Sequence, residues 1–252
     1  MHKLAIVTFL FVRPGKWRQL RYEEYTPKHV NALWRACADN IKVPHRFVAY
    51  TDSPDGIECE RRPSFDDISI TRPDGMTENG CYQRLRLYDP EIAATLDAEH
   101  VLILDLDTVM MNDCTGVINA CMEHDFTALR GSPWPNGHLC AWYNGSFQMH
   151  RVGSRPQFWH GFDPARFWRQ REDYLMPGGR RPHGSDQAWI SVCAGNAERT
   201  IWADDGAYQY RNWRRTLPRD AQFVFFAGKD KPWQARVQHE NPAVARRWRK
   251  YA

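Results

Sequence analysis

The chain has no apolar run approaching the ~18 residues that a membrane-crossing helix requires, so no segment reads as an integral span. Its seven cysteines (Cys37, Cys59, Cys81, Cys114, Cys121, Cys140 and Cys193) are odd in number, scattered and without a CxxC pair. That spacing argues against a disulfide framework or a cysteine zinc site, and most of them read as small buried hydrophobes. Neither sign of charge dominates: 34 Lys and Arg against 30 Asp and Glu leave +4, too even to mark a nucleic-acid binder. Internal repeats and linkers are also missing, which points to one domain over residues 1–252. Met1-His2-Lys3 leads straight into a strand-like segment instead of a signal peptide, so the expected location is the cytoplasm.

What is present is a chain of 252 residues, 42% of them hydrophobic, enough to close a substantial core and too many for a disordered chain. Eleven tryptophans are a high count, and most are expected in the core for their area alone. The focal stretch is His100 to Met111. Val101-Leu102-Ile103-Leu104 is an unbroken apolar run that reads as a strand buried on both faces. It ends in two carboxylates, Asp105 and Asp107, spaced so that a strand end lets them converge on one point. Two such charges at the mouth of a core repel and lose hydration unless a cation joins them or one is protonated. A hard ion with oxygen ligands, Mg²⁺ or Mn²⁺, suits them best. The plainer reading is a strand stopped by a polar turn.

Around this stretch the order of elements is that of an α/β protein. Leu4 to Leu10 is a strand-length apolar run. Thr26-Pro27 reads as a helix cap with proline at the first position, and Val30, Leu33, Trp34, Cys37 and Ile41 recur at helical spacing. Arg46 to Asp52 reads as a second strand, and strand-helix-strand implies a right-handed crossover in a parallel sheet. Ligands of such sheets collect beyond the carboxyl ends of strands, where Thr8, Asp52 and the Asp105/Asp107 pair are expected. Cys81 to Tyr88 reads as helical and Phe126 to Arg130 as a strand. Tyr143 to His150 holds a turn leading into a strand, Tyr174 to Gly184 a lid-like loop, and Asp186 opens a helix. Gln222 to Phe226 is a buried strand followed by Gly228-Lys229-Asp230-Lys231, suited to a diphosphate or to a plain exposed turn.

In this order the landmarks resemble the GT-A glycosyltransferases, particularly bacterial proteins similar to glycosyltransferase family 8. The matching pieces are Tyr82-Gln83-Arg84-Leu85, the DxD strand ending Asp105-Leu106-Asp107, Tyr143-Asn144-Gly145-Ser146, Gly184-Ser185-Asp186-Gln187 and Gly228-Lys229-Asp230-Lys231-Pro232-Trp233. The resemblance implies a Rossmann-like nucleotide-diphospho-sugar transferase fold, with residues 1–112 as the nucleotide-binding half and 113–252 as the sugar and acceptor half. It implies a UDP-sugar donor, Mn²⁺ or Mg²⁺ on Asp105 and Asp107, and transfer of a hexose to a hydroxyl with retention. Thr8, Asp52, Arg84, Asp105, Leu106, Gly228 and Lys231 are then the expected donor-binding residues, and Asn144, Asp186 and Gln187 the expected catalytic set lining the sugar pocket. The family places a histidine just before its final glycine-lysine motif as a third metal ligand. Here the chain reads Phe225-Phe226-Ala227, so the metal is expected on the two aspartates, diphosphate and water, or with a histidine from elsewhere such as His183 or His239.

Two other readings stand beside this one. Asp105-Leu106-Asp107-Thr108-Val109 also resembles the first motif of haloacid-dehalogenase-like phosphatases, with Asp105 as nucleophile and Asp204-Asp205 as the distal acidic pair. A non-catalytic carbohydrate- or nucleic-acid-binding module is the third. The basic, aromatic tail from Pro242 to Tyr251 reads as a solvated terminal helix, or as a contact for anionic lipid or nucleic acid. The acceptor is accordingly a surface glycan, a lipid-linked sugar or a modified DNA base flipped from its stack.

Overall fold

The computed structural model describes residues 2–11, 25–65, 68, 70–71, 77–78, 81–132, 141–163, 186–213, 217–226, 228 and 230–252. The cation pair Arg13 and Lys16, the lid-like loop from Tyr174 to Gly184, His183, Ala227 and Lys229 lie outside them. Strand β1 (His2–Leu10), helix α1 (Pro27–Asn40) and strand β2 (His45–Thr51) form the expected crossover. The two strands pair in parallel from Leu4↔His45 to Leu10↔Thr51. Thr26 caps α1, with its backbone N–H donating to His29 Nδ1 at 2.9 Å, and the predicted face of Val30, Leu33, Cys37 and Ile41 is buried.

β3 (Glu60–Pro63) extends the sheet beyond β2, and β4 (Ile70–Thr71) pairs with β5 (Thr77–Glu78) as a separate ribbon. β6 (Ala98–Leu104) lies at the centre of the large sheet, parallel to β1 on one side and antiparallel to β9 (Tyr143–Arg151) on the other. β8 (Phe126–Arg130) and β10 (Arg199–Ile201) complete the order β10-β8-β9-β6-β1-β2-β3. The chain therefore has a mixed α/β fold with a mostly parallel central sheet. Alternation along β6 feeds two cores: Leu102 and Leu104 pack with Leu33 and Cys37 of α1, while Val101 and Ile103 pack with Tyr82, Leu85 and Trp189 on the other face.

A smaller sheet carries the chain out of the centre. β7 (Val109–Met110) follows the two aspartates and pairs antiparallel with β12 (Phe223–Phe225), which lies parallel to β11 (Ala207–Gln209). The short helices α2 (Pro90–Ala94), α3 (Thr115–Met122) and α4 (Gln157–His160) precede α5 (Asp186–Ala194), which packs on β9. After α6 (Tyr210–Trp213), helices α7 (Ala235–Glu240) and α8 (Pro242–Arg249) close the chain. Among the described residues no helix is long and apolar enough to cross a membrane.

Two elements differ from the sequence reading. Residues Cys81–Tyr88 form a 3-10 helix, whose three-residue repeat stacks Tyr82, Leu85 and Tyr88 in one buried row. The basic tail is docked instead of solvated: α8 buries Val244, Ala245 and Trp248, and Tyr251 follows them into the core. Arg247 donates to Met110 O at 2.8 Å and to Asn40 Oδ1 at 2.5 Å, which leaves Arg246, Arg249 and Lys250 exposed.

Candidate active site

The site begins where β6 stops. Asp105 and Leu106 turn the chain, with Thr108 N–H donating to Asp105 O at 3.1 Å, so that Asp107 points back toward the segment after β12. On the neighbouring strand the β8/β9 register jumps from Ala128↔Gln148 to Leu129↔Asn144, leaving residues 145–147 unpaired with β8. Such an irregularity re-aims side chains beside a site. Here it brings Gly145 and Ser146 against the end of β6, where Asp105 N–H donates to Ser146 O at 3.3 Å.

Arg84 joins these pieces. Its guanidinium lies 3.1 Å from Asp105 Oδ1 and 3.7 Å from Asp186 Oδ2, and donates to Gly145 O at 2.6 Å. Gly145 is small for a reason visible in the distances. A Cβ there would stand 2.8 Å from Arg84 Nη1, 3.3 Å from Asp186 Oδ2 and 3.4 Å from Gln148 Nε2. Ser146 donates to Asp105 Oδ2 at 2.7 Å, and Gln148 Nε2 donates to Asp186 Oδ2 at 3.1 Å. Tyr88 fixes that amide by donating to Gln148 Oε1 at 2.7 Å. Gln187 Oε1 accepts from Gly145 N–H at 3.0 Å, and Asn144 Oδ1 accepts from Ser146 N–H at 2.9 Å.

Asp107 belongs to a second cluster. Lys231 Nζ donates to its Oδ2 at 2.5 Å, and Tyr25 donates to the same oxygen at 2.6 Å. The other oxygen, Oδ1, is buried without a hydrogen-bond partner. Lys231 and Asp107 are nearly closed to solvent, and the ring of Tyr25 that meets both packs edge-on against His29 and Trp233, whose centroids lie 4.2 Å apart.

Burial dominates the titration of this site. It lifts the Asp186 carboxyl above its ordinary value, with Arg84 opposing and Asp105 reinforcing the lift. Asp105 is raised by the same three influences, with Asp107 in the reinforcing role, but its side chain is 29% exposed against 3% for Asp186, so water moderates it more. Burial also pulls the Arg84 guanidinium down, yet Asp105 and Asp186 outweigh it and hold the cation fully charged.

Of the residues expected at the site, Arg84, Asp105, Asn144, Asp186 and Gln187 meet in one cluster and Asp107 and Lys231 in the adjoining one. Leu106 is buried in the turn between the aspartates. Gly228 is exposed and adopts a φ of 77°, a conformation that glycine tolerates. Thr8 is fully buried in β1, and its hydroxyl donates at 2.8 Å to the carbonyl of Leu104, the residue before Asp105, tying β1 to β6. Asp52 is exposed just past β2. Tyr25, Ser146 and Gln148 were not singled out from sequence, although Gln148, a polar residue within an apolar strand, carried a readable signal. The distal acidic pair of the phosphatase reading falls elsewhere. Asp205 caps its own turn through Trp202 N–H and pairs with Arg199 beside β10, three strand positions from β6, roughly 14 Å at the usual strand spacing.

Divalent-ion chemistry has a partial donor set here. No group of three or more His, Cys, Asp or Glu able to hold a metal occurs among the described residues. His239 is exposed on α7, and Phe225 and Phe226 are buried rings that cannot ligate. The unpartnered Asp107 Oδ1 next to Asp105 fits an ion of the magnesium type, which takes one or two carboxylates and completes its shell with substrate phosphates and water.

This architecture is the GT-A fold. The solved structure of the galactosyltransferase LgtC in complex with donor and acceptor sugar analogs superposes with a TM-score of 0.59 over 98% of this chain and 96% of that one, at 13% identity. No family model and no curated protein matches the chain by sequence.

Proposed function

We propose that this protein is a glycosyltransferase that takes a hexose from a UDP-sugar and passes it to a hydroxyl acceptor with retention of anomeric configuration. The observation that carries the reading is Arg84: one partly buried guanidinium gathers Asp105, Gly145 and Asp186 from three distant stretches, alongside a buried cation, Lys231, on Asp107. A diphosphate leaving group needs such fixed positive charge. LgtC, with the same fold, was solved with donor and acceptor sugar analogs, which supports the class of substrate.

In this reading Arg84 and Lys231 bind the diphosphate oxygens. Asp105 and Asp107 would hold Mn²⁺ or Mg²⁺, which supplies Lewis-acid neutralisation of charge on the departing diphosphate. Asp186 lies at the first turn of α5 with Gln187 beside it and Asn144 across from them, and these three line the sugar pocket. Gln148 and Tyr88 keep Asp186 aimed, while the near-complete burial of Lys231 and Asp107 keeps water from their ion pair. Retention requires no separate general base when the leaving phosphate accepts the acceptor's proton. The acceptor is a glycan, a lipid-linked sugar or a modified DNA base, and the exposed Arg246 and Arg249 of α8 offer a contact for an anionic one.

Release of UDP from a panel of UDP-hexoses with Mn²⁺ tests the proposal. At least one donor should be turned over, and Asp105→Asn or Arg84→Met should lower the rate by about a hundredfold or more, as for loss of a charge-stabilising group. Turnover of no UDP-hexose, or turnover indifferent to both substitutions, overturns it.

A further inference from the structure

Lys231 and Asp107 form an ion pair that occupies the place where a metal is expected. The ammonium donates to Asp107 Oδ2 at 2.5 Å, and the side chains are only 9% and 3% exposed. The face of Tyr25 lies 5.5 Å from Lys231 Nζ, holding the ammonium from a second side. Asp105 is met in the same way by Arg84. The three carboxylates of Asp105, Asp107 and Asp186 against the two cations of Arg84 and Lys231 leave the cluster at a formal charge of minus one. A divalent ion entering alone would reverse that sign beside a desolvated ammonium, with only two carboxylates to offset the repulsion. An ion entering with the two negative charges of a diphosphate diester would restore it.

We propose that Lys231 is an internal counter-ion that keeps the metal position closed in the free protein and yields it when a nucleoside diphosphate arrives. The ammonium moves from Asp107 Oδ2 to a diphosphate oxygen, and Asp107, whose buried Oδ1 has no hydrogen-bond partner, becomes available to the ion. Metal and nucleotide therefore bind with strong positive coupling, set by one lysine. The inference rests on the reading of this cleft as a nucleotide-sugar site, and its test separates the two.

The test is Mn²⁺ binding, followed by the electron paramagnetic resonance of the free ion, for the native protein, Lys231→Gln and Lys231→Arg, each with and without UDP. Glutamine keeps a hydrogen-bond donor for the buried Asp107 while removing the charge. The native protein should bind Mn²⁺ at least about tenfold more tightly with saturating UDP than without, a coupling of ordinary allosteric size. K231Q should bind Mn²⁺ without UDP roughly tenfold more tightly than the native protein, with the coupling to UDP reduced, and K231R should behave as the native protein does. K231Q binding the ion no more tightly than the native protein would overturn the proposal. So would native affinity for Mn²⁺ that UDP leaves unchanged although UDP itself binds, a result independent of whether any variant folds. If UDP binds no form of the protein, the donor reading fails, while the comparison of K231Q with the native protein still decides the role of the lysine.

Discussion

Replacing Arg84 with methionine keeps most of the side chain's apolar stem and removes the charge that three groups share. The lost contacts are those to Asp105 at 3.1 Å, Asp186 at 3.7 Å and Gly145 O at 2.6 Å. Breaking a buried ion pair by removing one partner costs about 3–5 kcal/mol, because the other charge stays behind in a poor dielectric. Asp105 is partly open, and Ser146 and Gln148 still donate to the two carboxylates, which places R84M near the lower end, about 3 kcal/mol at neutral pH. Both carboxyls are raised by burial already, and loss of the guanidinium raises them further. A carboxyl raised in the folded state favours folding below its unfolded value, and that contribution is lost as pH rises through the folded one. The deficit of R84M should therefore shrink as pH falls from about 7.5 to about 5, toward the range in which protonation of the raised carboxyls begins to remove the stranded charge. Urea unfolding at the two pH values measures it: with a slope near 3 kcal/mol/M the midpoint should fall by about 1 M at the higher pH and by clearly less at the lower. An equal loss at both values, or a loss under about 0.3 M, would refute the shared-cation argument.

Gly145→Ala places a methyl 2.8 Å from Arg84 Nη1, so UDP-hexose turnover should drop by about tenfold or more, the effect of a roughly 1 Å displacement in a reacting constellation. Unchanged kcat/KM would show that the guanidinium yields without consequence. Tyr88→Phe frees the Gln148 amide and should cost about 1–2 kcal/mol of stability, with kcat falling more than KM rises, because Asp186 loses its aim. Trp248→Ala should destabilise by about 3–4 kcal/mol, since the indole is in the core. The charge reversals R246E and R249E together should change stability by less than about 1 kcal/mol, while weakening any contact with an anionic acceptor in a gel-shift or vesicle-binding assay. A double reversal that melts the protein would contradict the docking of α8.

The central sheet was legible because its signals are local. An apolar run from Val101 to Leu104, a Thr-Pro cap and a helical stripe each specify one element without reference to the rest. The cluster of Arg84, Asp105, Asn144, Asp186 and Gln187 was instead expected through the resemblance to family 8 motifs, and the structure brings these residues into one neighbourhood. Thr8 shows what local pattern leaves out: a polar residue near a strand end reads as a ligand in sequence, and the structure adds that its buried hydroxyl is hydrogen-bonded to the Leu104 carbonyl of the neighbouring strand. Tyr25 was hidden for a related reason. Its partner is 82 positions away, and nothing local distinguishes a tyrosine that reaches an aspartate from one that fills a core. The tail from Pro242 to Tyr251 misled because its cations dominate the composition, whereas Val244, Ala245, Trp248 and Tyr251 decide where it packs.

The most direct measurement of the central claim is the melting temperature of the protein with a panel of nucleotide-sugars in the presence of Mn²⁺. A donor at a hundred times its Kd adds about 2.7 kcal/mol, which for a chain of this length is a rise of roughly 5–10 °C. The account predicts such a rise for at least one UDP-hexose and its loss in Asp107→Asn. A melting temperature that no nucleotide-sugar moves would contradict it.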